Sequence, residues 1–370
     1  MIRRMHHALP EQIARQIDIA SISLQDTLQN WRMPAHYVRS SLANGGKQGT
    51  ILYIGNRPQY KSWTQQLFGQ SENLVSQGEI RLIDVLGGDN SVMAADVTLC
   101  PLNPWTIPLF RRNGWHIIPQ HVLSRIDLKT PIDVLASSRD AKNELRVIRK
   151  QDYQFRELRS DEAFEEFYHE MLSPMVARRH NESAFLSSME NLKKQYANGY
   201  LLAAYLDSEW VGANLVLNGG EGTLVSANVG WRGGSDELMK KRVVSALLYE
   251  LMNRASSQGF HTLDLGSSNP FVCDGPLNYK LKWGANIELP KIEYSQNLLQ
   301  GTRSFIAAKF NLASDATQSI LHGTPLFESH QGKLQIIGWN SDVPSMIQQR
   351  IDHGMPMINL ATTSATQISV

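Results

Sequence analysis

The chain has 370 residues, of which 42% are hydrophobic and 19% charged, so a sizeable core can form and global disorder is excluded. Its formal net charge of +1 argues against a protein that captures nucleic acid over its whole surface. The two cysteines, Cys100 and Cys273, lack the spacing of a metal site or a disulfide framework. We therefore expect two domains, a reducing cytoplasm and no metal. The sequence shows no signal peptide and no apolar run of about 18 residues that would span a membrane.

The first part of the chain has the spacing of an α/β unit. Residues 10–31 carry apolar residues with helical periodicity, and a further helical segment is predicted to end near Phe68. Short apolar strands are predicted at residues 50–54, 80–85, 96–99 and 115–118. The residues after the first strand, Gly55-Asn56-Arg57, lack the further glycines of a dinucleotide fingerprint, so a tight turn is favoured there over a nucleotide loop.

A basic helix is predicted at residues 139–150. Its cationic residues share one face because they are spaced i, i+4, i+7 and i+8; they are Lys142, Arg146, Arg149 and Lys150. One interpretation is a solvated helix face. The other is a ridge that faces the phosphates of a coenzyme, a nucleotide sugar or RNA.

From residue 153 onward the pattern is that of an α+β unit built around an antiparallel meander. In chain order, the predicted elements are a strand at 153–157, a helix from Ser160 to about 171, a helix at 186–196, strands at 200–206, 210–217 and 223–229, a helix capped by Ser235 and ended by Gly259, and strands at 261–265 and 287–294. A hairpin is predicted around Gln331 and Gly332, and residues 362–370 are expected to be loose.

Residues 264–285 (DLGSSNPFVCDGPLNYKLKWGA) concentrate chemically capable side chains in what is predicted to be a loop after a buried strand. These side chains belong to Ser267, Ser268, Asn269, Asp274, Tyr279, Lys280, Lys282 and Trp283. Hydroxyl, amide, carboxylate, phenol and ammonium groups within one loop are unusual for a purely structural segment. We therefore expect this loop to line a transfer site.

Three segments together resemble the Fem-like branch of the GNAT acyltransferase superfamily: ARRH within residues 177–184, ASSQG at 255–259, and residues 263–285. The most specific piece is Asp-Gly-x-x-x-Tyr-Lys-x-Lys-Trp-Gly-Ala, from Asp274 to Ala285. That branch includes peptidoglycan-bridge aminoacyltransferases and acetyltransferases associated with cellulose and exopolysaccharide synthesis. The resemblance covers roughly residues 141–294.

The resemblance implies an α+β (α/β) GNAT-like fold in tandem. A degenerate GNAT-like α/β half would occupy residues 1–138, and a full GNAT acyltransferase domain residues 139–300. Residues 301–370 would form a C-terminal extension that packs on these domains. In Fem-type enzymes a related aromatic-Lys element lies near the donor site, which implies that Tyr279 and Lys280 are site residues here.

The resemblance also implies acetyl-CoA as the acyl donor. GNAT enzymes bind the coenzyme pyrophosphate with a Gln/Arg-x-x-Gly-x-Gly/Ala loop between a strand and the next helix, and the junction here departs from that pattern (VGWRGGSD, residues 229–236). Arg232, Gly233 and Gly234 are the predicted cofactor residues because a helix N-terminus offers N–H groups to an anion. Asp236 and Glu237 in the first turn oppose a phosphate.

Acyl transfer needs a base, donors for the oxyanion and an acid for the leaving group. Asp274 is predicted to be the base or the carboxylate that orients the acceptor; its alternative is an Asx-turn residue before Gly275. Tyr279 is predicted to be the acid, with a core aromatic as the alternative. Lys280 is predicted to balance negative charge, and Lys282 to be solvated.

Substrate contacts are predicted from a compact cationic set and from the loop. The predicted contacts are Arg178, Arg179, His180, Ser267, Asn269 and Trp283. A surface histidine and a core tryptophan are the alternatives for His180 and Trp283. Cys273 is not expected to be a nucleophile, since no nearby group is placed to lower the pKa of its thiol.

The sequence therefore predicts a cytoplasmic acyltransferase that moves an acetyl group onto an amino-sugar or polysaccharide precursor in a ternary complex. One alternative takes its acyl group from an aminoacyl-tRNA, and only that alternative involves nucleic acid. Another is a catalytically silent GNAT-like module that binds a nucleotide sugar or a synthase.

Overall fold

The computed structural model describes residues 32–43, 47–55, 60–68, 73–88, 92, 94–102, 106–180, 186–290 and 305–362. The helices predicted at 10–31, the Asn56-Arg57 turn and the C-terminal residues 363–370 lie outside these ranges. No helix within them is both long enough and apolar enough to cross a lipid bilayer.

The described part of the chain contains both strands and helices. The strands are β1 (Arg32–Ser41), β2 (Gln48–Ile54), β3 (Asn73–Arg81), β4 (Val97–Leu102), β5 (His116–Pro119), β6 (Val122–Asp127), β7 (Gln154–Leu158), β8 (Gly199–Leu206), β9 (Glu209–Gly220), β10 (Thr223–Trp231), β11 (Thr262–Ser268), β12 (Asn286–Glu288), β13 (Phe305–Phe310), β14 (Leu326–His330), β15 (Lys333–Gly338) and β16 (Met357–Asn359). The helices are α1 (Tyr60–Phe68), α2 (Leu82–Gly87), α3 (Ile107–Arg112), α4 (Ile132–Leu135), α5 (Arg139–Ile148), α6 (Asp161–Glu166), α7 (Ser173–His180), α8 (Met189–Tyr196), α9 (Asp236–Lys240), α10 (Val243–Ser257), α11 (Gly275–Lys282), α12 (Asp315–Gly323) and α13 (Ser345–Asp352).

The chain divides into two compact units. The first comprises residues 1–122, 269–274 and 289–370, and the second comprises residues 123–268 and 275–288. Mixed sheets and helices occur in both, so the predicted α+β class is confirmed.

The first unit contains a sheet with the strand order β3-β1-β2-β4-β13-β5 and a smaller sheet, β14-β15-β16. Alternate residues of the larger sheet enter two apolar clusters: Ile51, Tyr53 and Leu99 belong to one, and Leu52 and Ile54 to the other. A sheet covered on both faces requires this kind of apolar run in its central strands.

Strand β13 joins the two ends of the chain in one sheet. It pairs antiparallel with β4, from Phe305 opposite Leu102, and with β5, from Phe305 opposite Pro119. Residues 301–370 were predicted to be an extension that packs on the domains, and part of that segment supplies this strand of the sheet. Sequence spacing could not show it because a pairing between distant strands leaves no local signal.

The second unit contains a sheet with the strand order β12-β6-β11-β10-β9-β8-β7. Strands β8, β9 and β10 form the predicted antiparallel meander. Ser160 caps α6 as predicted, since its Oγ accepts from Ala163 N at 3.2 Å. A π-helical turn (Phe167–Leu172) connects α6 to α7, and it passes so close to β10 that a Cβ at Gly230 would lie 2.8 Å from Leu172 N.

Three predicted elements are wrong. Residues 80–85 are not a strand, because β3 ends at Arg81 and α2 begins at Leu82. The helix that starts after Ser235 is short, and the chain turns at Arg242, whose φ of 67° is left-handed, before α10 begins. The predicted loop after residue 265 is instead the end of β11, a turn and the helix α11.

Candidate functional site

A cavity of about 1110 Å³ lies within the second unit, where β10 and β11 separate. The two strands pair in parallel only from Thr223/Thr262 to Val225/Asp264, although β10 continues to Trp231 and β11 to Ser268. Beyond Val225 the described residues of the two strands form no further ladder pair, and their diverging ends line the cavity. Backbone N–H and C=O groups along this opening are thus available to a bound molecule.

A bulge shapes the β10 wall of the cavity. The pairing of β10 with β9 shifts register between Ser226 and Asn228, so Ala227 is an extra residue. Buried Asn214 on β9 fixes the position of Ser226. Asn214 Nδ2 donates to Ser226 Oγ at 2.8 Å, and Ser226 Oγ lies 3.1 Å from Asn214 Oδ1. All four of these residues line the cavity.

Helix α11 supplies another wall and carries Tyr279, Lys280 and Lys282 into it. The Lys280 ammonium donates to Gly266 O (3.2 Å), Ser267 O (2.7 Å) and Ser268 Oγ (3.0 Å). It therefore fastens α11 to the end of β11. The left-handed Gly266 (φ 72°) makes this turn possible, and its N–H donates to Asp264 Oδ1 at 2.7 Å.

A buried carboxylate, Glu144 of α5, lies at the centre of the polar network. Its Oε1 accepts from Lys282 Nζ at 2.5 Å, and its Oε2 accepts from Ser245 Oγ. Arg242 Nη1 lies 3.9 Å from Oε1. Lys282 is thus not solvated as predicted: only 13% of its side chain is exposed, and its Nζ also lies 4.5 Å from the centre of the Tyr279 ring.

Ser245 links Glu144 to Tyr279, since its Oγ lies 3.2 Å from the Tyr279 hydroxyl. Ser245 has a single hydroxyl proton and gives it to Glu144, which as a carboxylate can only accept. The Tyr279 hydroxyl must therefore donate to Ser245, which leaves lone pairs of its oxygen as acceptors. Burial raises the pKa of Tyr279, an effect that the Ser245 hydrogen bond only partly offsets, so the hydroxyl stays protonated at neutral pH.

The predicted coenzyme loop is arranged differently from the expectation. Arg232 does not line the cavity: its Nε donates to Trp210 O at 2.9 Å and its Nη2 lies 2.5 Å from Glu166 Oε1. Gly233 and Gly234 have left-handed φ values of 58° and 61°, and their carbonyls accept from Arg178 at 3.4 Å. Of the three predicted cofactor residues, Gly234 lines the cavity, and Arg178 lines it as well.

The remaining predicted site residues lie elsewhere in the two units. Asp274, in the first unit, is buried and accepts from Asn269 Nδ2 at 3.1 Å; neither residue lines the cavity. Trp283 is fully buried and packs against Tyr249, with ring centroids 6.2 Å apart. Arg179 and His180 end helix α7. Partial burial raises the pKa of Cys273, which disfavours a thiolate.

Sequence reasoning missed several polar residues of the cavity, among them Glu144 on α5, Asn214 on β9, Arg242 just before α10 and Ser245 on α10. Each looks ordinary in its own segment. Glu144 lies among the cations of α5 in the sequence, between Lys142 and Arg146, but on the opposite face of the helix. That position was the local signal that could have pointed to it. Among the described residues, no group of three or more His, Cys, Asp or Glu side chains could hold a metal ion.

The cavity is more cationic than anionic. Among its described lining residues, the cations are Arg178, Arg242, Lys280 and Lys282, and the carboxylates are Glu144 and Asp236. One of the two carboxylates, Glu144, is already paired with Lys282. The cavity therefore favours a ligand with negative charge.

The chain matches no protein-family model and no curated protein sequence. Solved structures to which it is similar include L-PGS from Bacillus licheniformis, at 12% identity over 76% of this chain and 86% of that one, with a TM-score of 0.38. FemX aligns at 10% identity over 76% and 85%, with a TM-score of 0.37. A GCN5-related N-acetyltransferase from Sphaerobacter thermophilus aligns at 13% identity over 71% and 73%, with a TM-score of 0.33.

Proposed function

We propose that the second unit is an acyltransferase that moves an acetyl group from acetyl-CoA onto the amine of an amino-sugar or polysaccharide precursor. The observation that carries the proposal is the chain of hydrogen bonds Tyr279–Ser245–Glu144, which begins at the cavity and ends on a carboxylate. Such a chain can remove a proton from a nucleophile bound in the cavity.

The reaction we propose is a direct transfer. The acceptor nitrogen attacks the acetyl carbonyl carbon, a C–N bond forms, and the C–S bond breaks with its electron pair leaving on the sulfur. The proton lost by the nitrogen passes to the Tyr279 oxygen while the Tyr279 proton moves to Ser245 and the Ser245 proton to Glu144. The thiolate then takes a proton from solvent, and Glu144 returns its proton to solvent through the same chain of hydroxyl groups.

Lys282 supports this relay through Glu144. Its ammonium lies 2.5 Å from Glu144 Oε1 and stabilises the negative charge of the carboxylate before proton transfer. After the transfer Glu144 is a neutral acid, and the Lys282 ammonium remains beside it. Lys280 has a different part, because its ammonium is already bound by three oxygens of the β11 turn. In this proposal it positions the cavity wall and is not the group that balances developing charge.

Acetyl-CoA suits the cavity in two respects. Its amide-containing arm can hydrogen bond to the strand edges that β10 and β11 leave open, in the manner of an added strand. Its phosphates match the cationic side chains of Arg178 and Arg242. In this proposal the phosphates are bound by these two residues and not by Arg232, which Glu166 engages.

Isothermal titration of the full chain with acetyl-CoA, with coenzyme A as the comparison, tests the donor. We expect saturable binding in the micromolar range that weakens in an Arg178→Ala, Arg242→Ala variant. Tyr279→Phe should bind acetyl-CoA normally and lose turnover, whereas a silent binding module would show no turnover to lose. Absence of binding at millimolar coenzyme would overturn acetyl-CoA as the donor.

A second candidate donor is an ester, as in an aminoacyl-tRNA. The observation that favours it is the engagement of Arg232 by Glu166 and the Trp210 carbonyl, which removes the predicted coenzyme anchor. The same relay would deprotonate the acceptor, and the leaving group would be an alkoxide. Transfer from an aminoacyl-tRNA by a chain that ignores acetyl-CoA would select this candidate.

A further inference from the structure

A second concave site, separate from the transfer cavity, lies beside helix α5 in the second unit. It has a volume of about 620 Å³, and we call it the α5 groove; it is lined by Asp133, Ala136, Lys142, Leu145, Arg146, Arg149, Lys150 and Tyr249. The sequence had placed its four cations on one helix face, and the structure brings all four around one depression. The proposed transfer chemistry uses none of them.

The four cations of the α5 groove have no ion-pair partner among the residues that the structure describes. Lys142, Arg146, Arg149 and Lys150 are exposed, and their side chains form no ion pair or hydrogen bond with another residue that the structure describes. Elsewhere in the second unit, by contrast, Lys193 pairs with Asp161 and Glu165. The only carboxylate that lines the groove in the described part of the chain is Asp133.

Helix electrostatics explains part of this arrangement. Arg146, Arg149 and Lys150 lie at the C-terminal end of α5, where cations stabilise the helix. That effect does not account for Lys142, which lies in the first half of the helix. It also does not account for the convergence of all four on a depression with an apolar floor, formed by Ala136 and Leu145, both buried, and Tyr249.

The size of the groove indicates what it holds. A volume of about 620 Å³ falls within the range of small-molecule sites, about 300–1,000 Å³. A nucleic acid, by contrast, is usually bound on an extended cationic surface rather than in one pocket. The ring of Tyr249 supplies an aromatic contact next to the cations.

We propose that the α5 groove binds a small molecule that carries a diphosphate or a longer phosphate chain. The charged part lies against Lys142, Arg146, Arg149 and Lys150, and the remainder against Tyr249. Guanidinium groups suit this ligand because they bind phosphate oxygens in pairs. A nucleoside diphosphate and a sugar or lipid linked to a diphosphate share this chemistry.

The α5 groove and the transfer cavity share two helices. On α5, Glu144 faces the cavity while Lys142 and Arg146 face the groove. On α10, Ser245 lines the cavity and Tyr249, one turn later, lines the groove. A ligand in the groove therefore lies within about one helical turn of the proposed relay.

Isothermal titration of the full chain with inorganic pyrophosphate, UDP and ADP tests this proposal without any acyl donor, so its result does not depend on the proposed transfer. We expect saturable binding that weakens as salt increases. The variant Lys142→Ala, Arg146→Ala, Arg149→Ala should bind at least about tenfold more weakly. Tighter binding of UDP or ADP than of pyrophosphate would identify a nucleotide; equal binding would identify the diphosphate alone as the recognised group.

Two matched variants act as controls. Arg112→Ala, Lys194→Ala, Lys333→Ala removes the same charge from other exposed positions and should bind normally. Arg178→Ala, Arg242→Ala alters only the transfer cavity, so it should keep the binding event that the groove variant loses, even if it loses a second event at the cavity. The proposal is overturned if either control loses as much affinity as the groove variant. It is also overturned if pyrophosphate, UDP and ADP all fail to bind, or if a single-stranded RNA binds where these do not.

Discussion

Glu144 and Lys282 form an ion pair, with Oε1 and Nζ 2.5 Å apart, at a position where only 11% and 13% of their side chains are exposed. Removing two charges from water is costly, and their attraction repays the cost only if further hydrogen bonds complete the site. Ser245 and the Tyr279 ring complete it here. The pair therefore joins α5 to α11 and fixes the carboxylate at the end of the proposed relay.

The ion pair predicts an asymmetry between single and double variants. Lys282→Met leaves the Glu144 carboxylate buried and uncompensated, so we expect the free energy of unfolding to fall by about 3 kcal/mol. The double variant Glu144→Gln, Lys282→Met should be less destabilised than Lys282→Met alone. Hydrogen exchange of the α10 amides in urea measures the free energy of unfolding of the second unit. The control Lys194→Met, which breaks an exposed pair with Glu190, should change this free energy by under about 0.5 kcal/mol.

The relay predicts that its hydroxyl groups act as one device. Tyr279→Phe and Ser245→Ala should each lower kcat by about 10²- to 10⁴-fold, with little change in acetyl-CoA affinity, because each breaks the path of the proton. Combining them should cost little more than either alone. Ser257→Ala, at the far end of the same helix, is the control. Penalties that multiply in the double variant would contradict a relay.

The arrangement of Arg232 predicts that it contributes little to donor binding. Because its guanidinium already bonds Glu166 and the Trp210 carbonyl, Arg232→Ala should leave the Kd for acetyl-CoA within about twofold. Arg242→Ala, which changes a cation on the cavity wall, should raise the Kd by about tenfold. If titration shows instead that Arg232→Ala raises the Kd more than Arg242→Ala does, the coenzyme loop predicted from the sequence is the phosphate site.

A buried carboxylate in the first unit predicts a pH dependence of stability. Burial alone would raise the pKa of Glu328, but the hydrogen bond and charge of His116, with Gln335 and the Ile117 N–H, outweigh burial and hold the pKa below its usual range. A carboxyl whose pKa is lower in the folded state stabilises the fold above its unfolded pKa, and this contribution is lost as the pH falls through the folded value.

Glu328→Gln should therefore lower the Tm near pH 6, by the equivalent of about 1–2 kcal/mol. The difference from the parent chain should shrink as the pH falls towards about 3, since the parent carboxyl is then protonated. Thermal unfolding across this range measures it. Glu79→Gln, at an exposed position of the same unit, should show no such trend.

The sequence predicted those parts of the fold that local patterns specify. The meander of β8, β9 and β10 follows from apolar runs separated by short polar turns. The hairpin at Gln331 and Gly332 follows from a glycine that takes a positive φ. The break at Arg242 was not predictable in this way. The residues on both sides continue a helical pattern, and neither glycine nor proline marks the left-handed position.

In the candidate site, too, local sequence patterns predicted some residues, and others are brought in only by the tertiary fold. Arg178, Ser267, Tyr279, Lys280 and Gly234 were predicted as site residues, and they line one cavity. Glu144 was missed because it reaches Tyr279 only through the tertiary fold. The role of Asp274 stays a prediction, although its carboxylate bonds Asn269 and does not line the cavity.

The position of β13 also bears on synthesis at the ribosome. β13 is an interior strand between β4 and β5, yet almost the whole second unit is translated between β5 and β13. During that time the nascent first unit has exposed strand edges on β4 and β5 that pair with no strand of their own sheet, the condition in which chains aggregate. The second unit can therefore fold first, whereas the larger sheet of the first unit is complete only after β13 has been translated. Truncating the chain before Phe305 would therefore remove an interior strand of the larger sheet of the first unit, and not merely a C-terminal appendage.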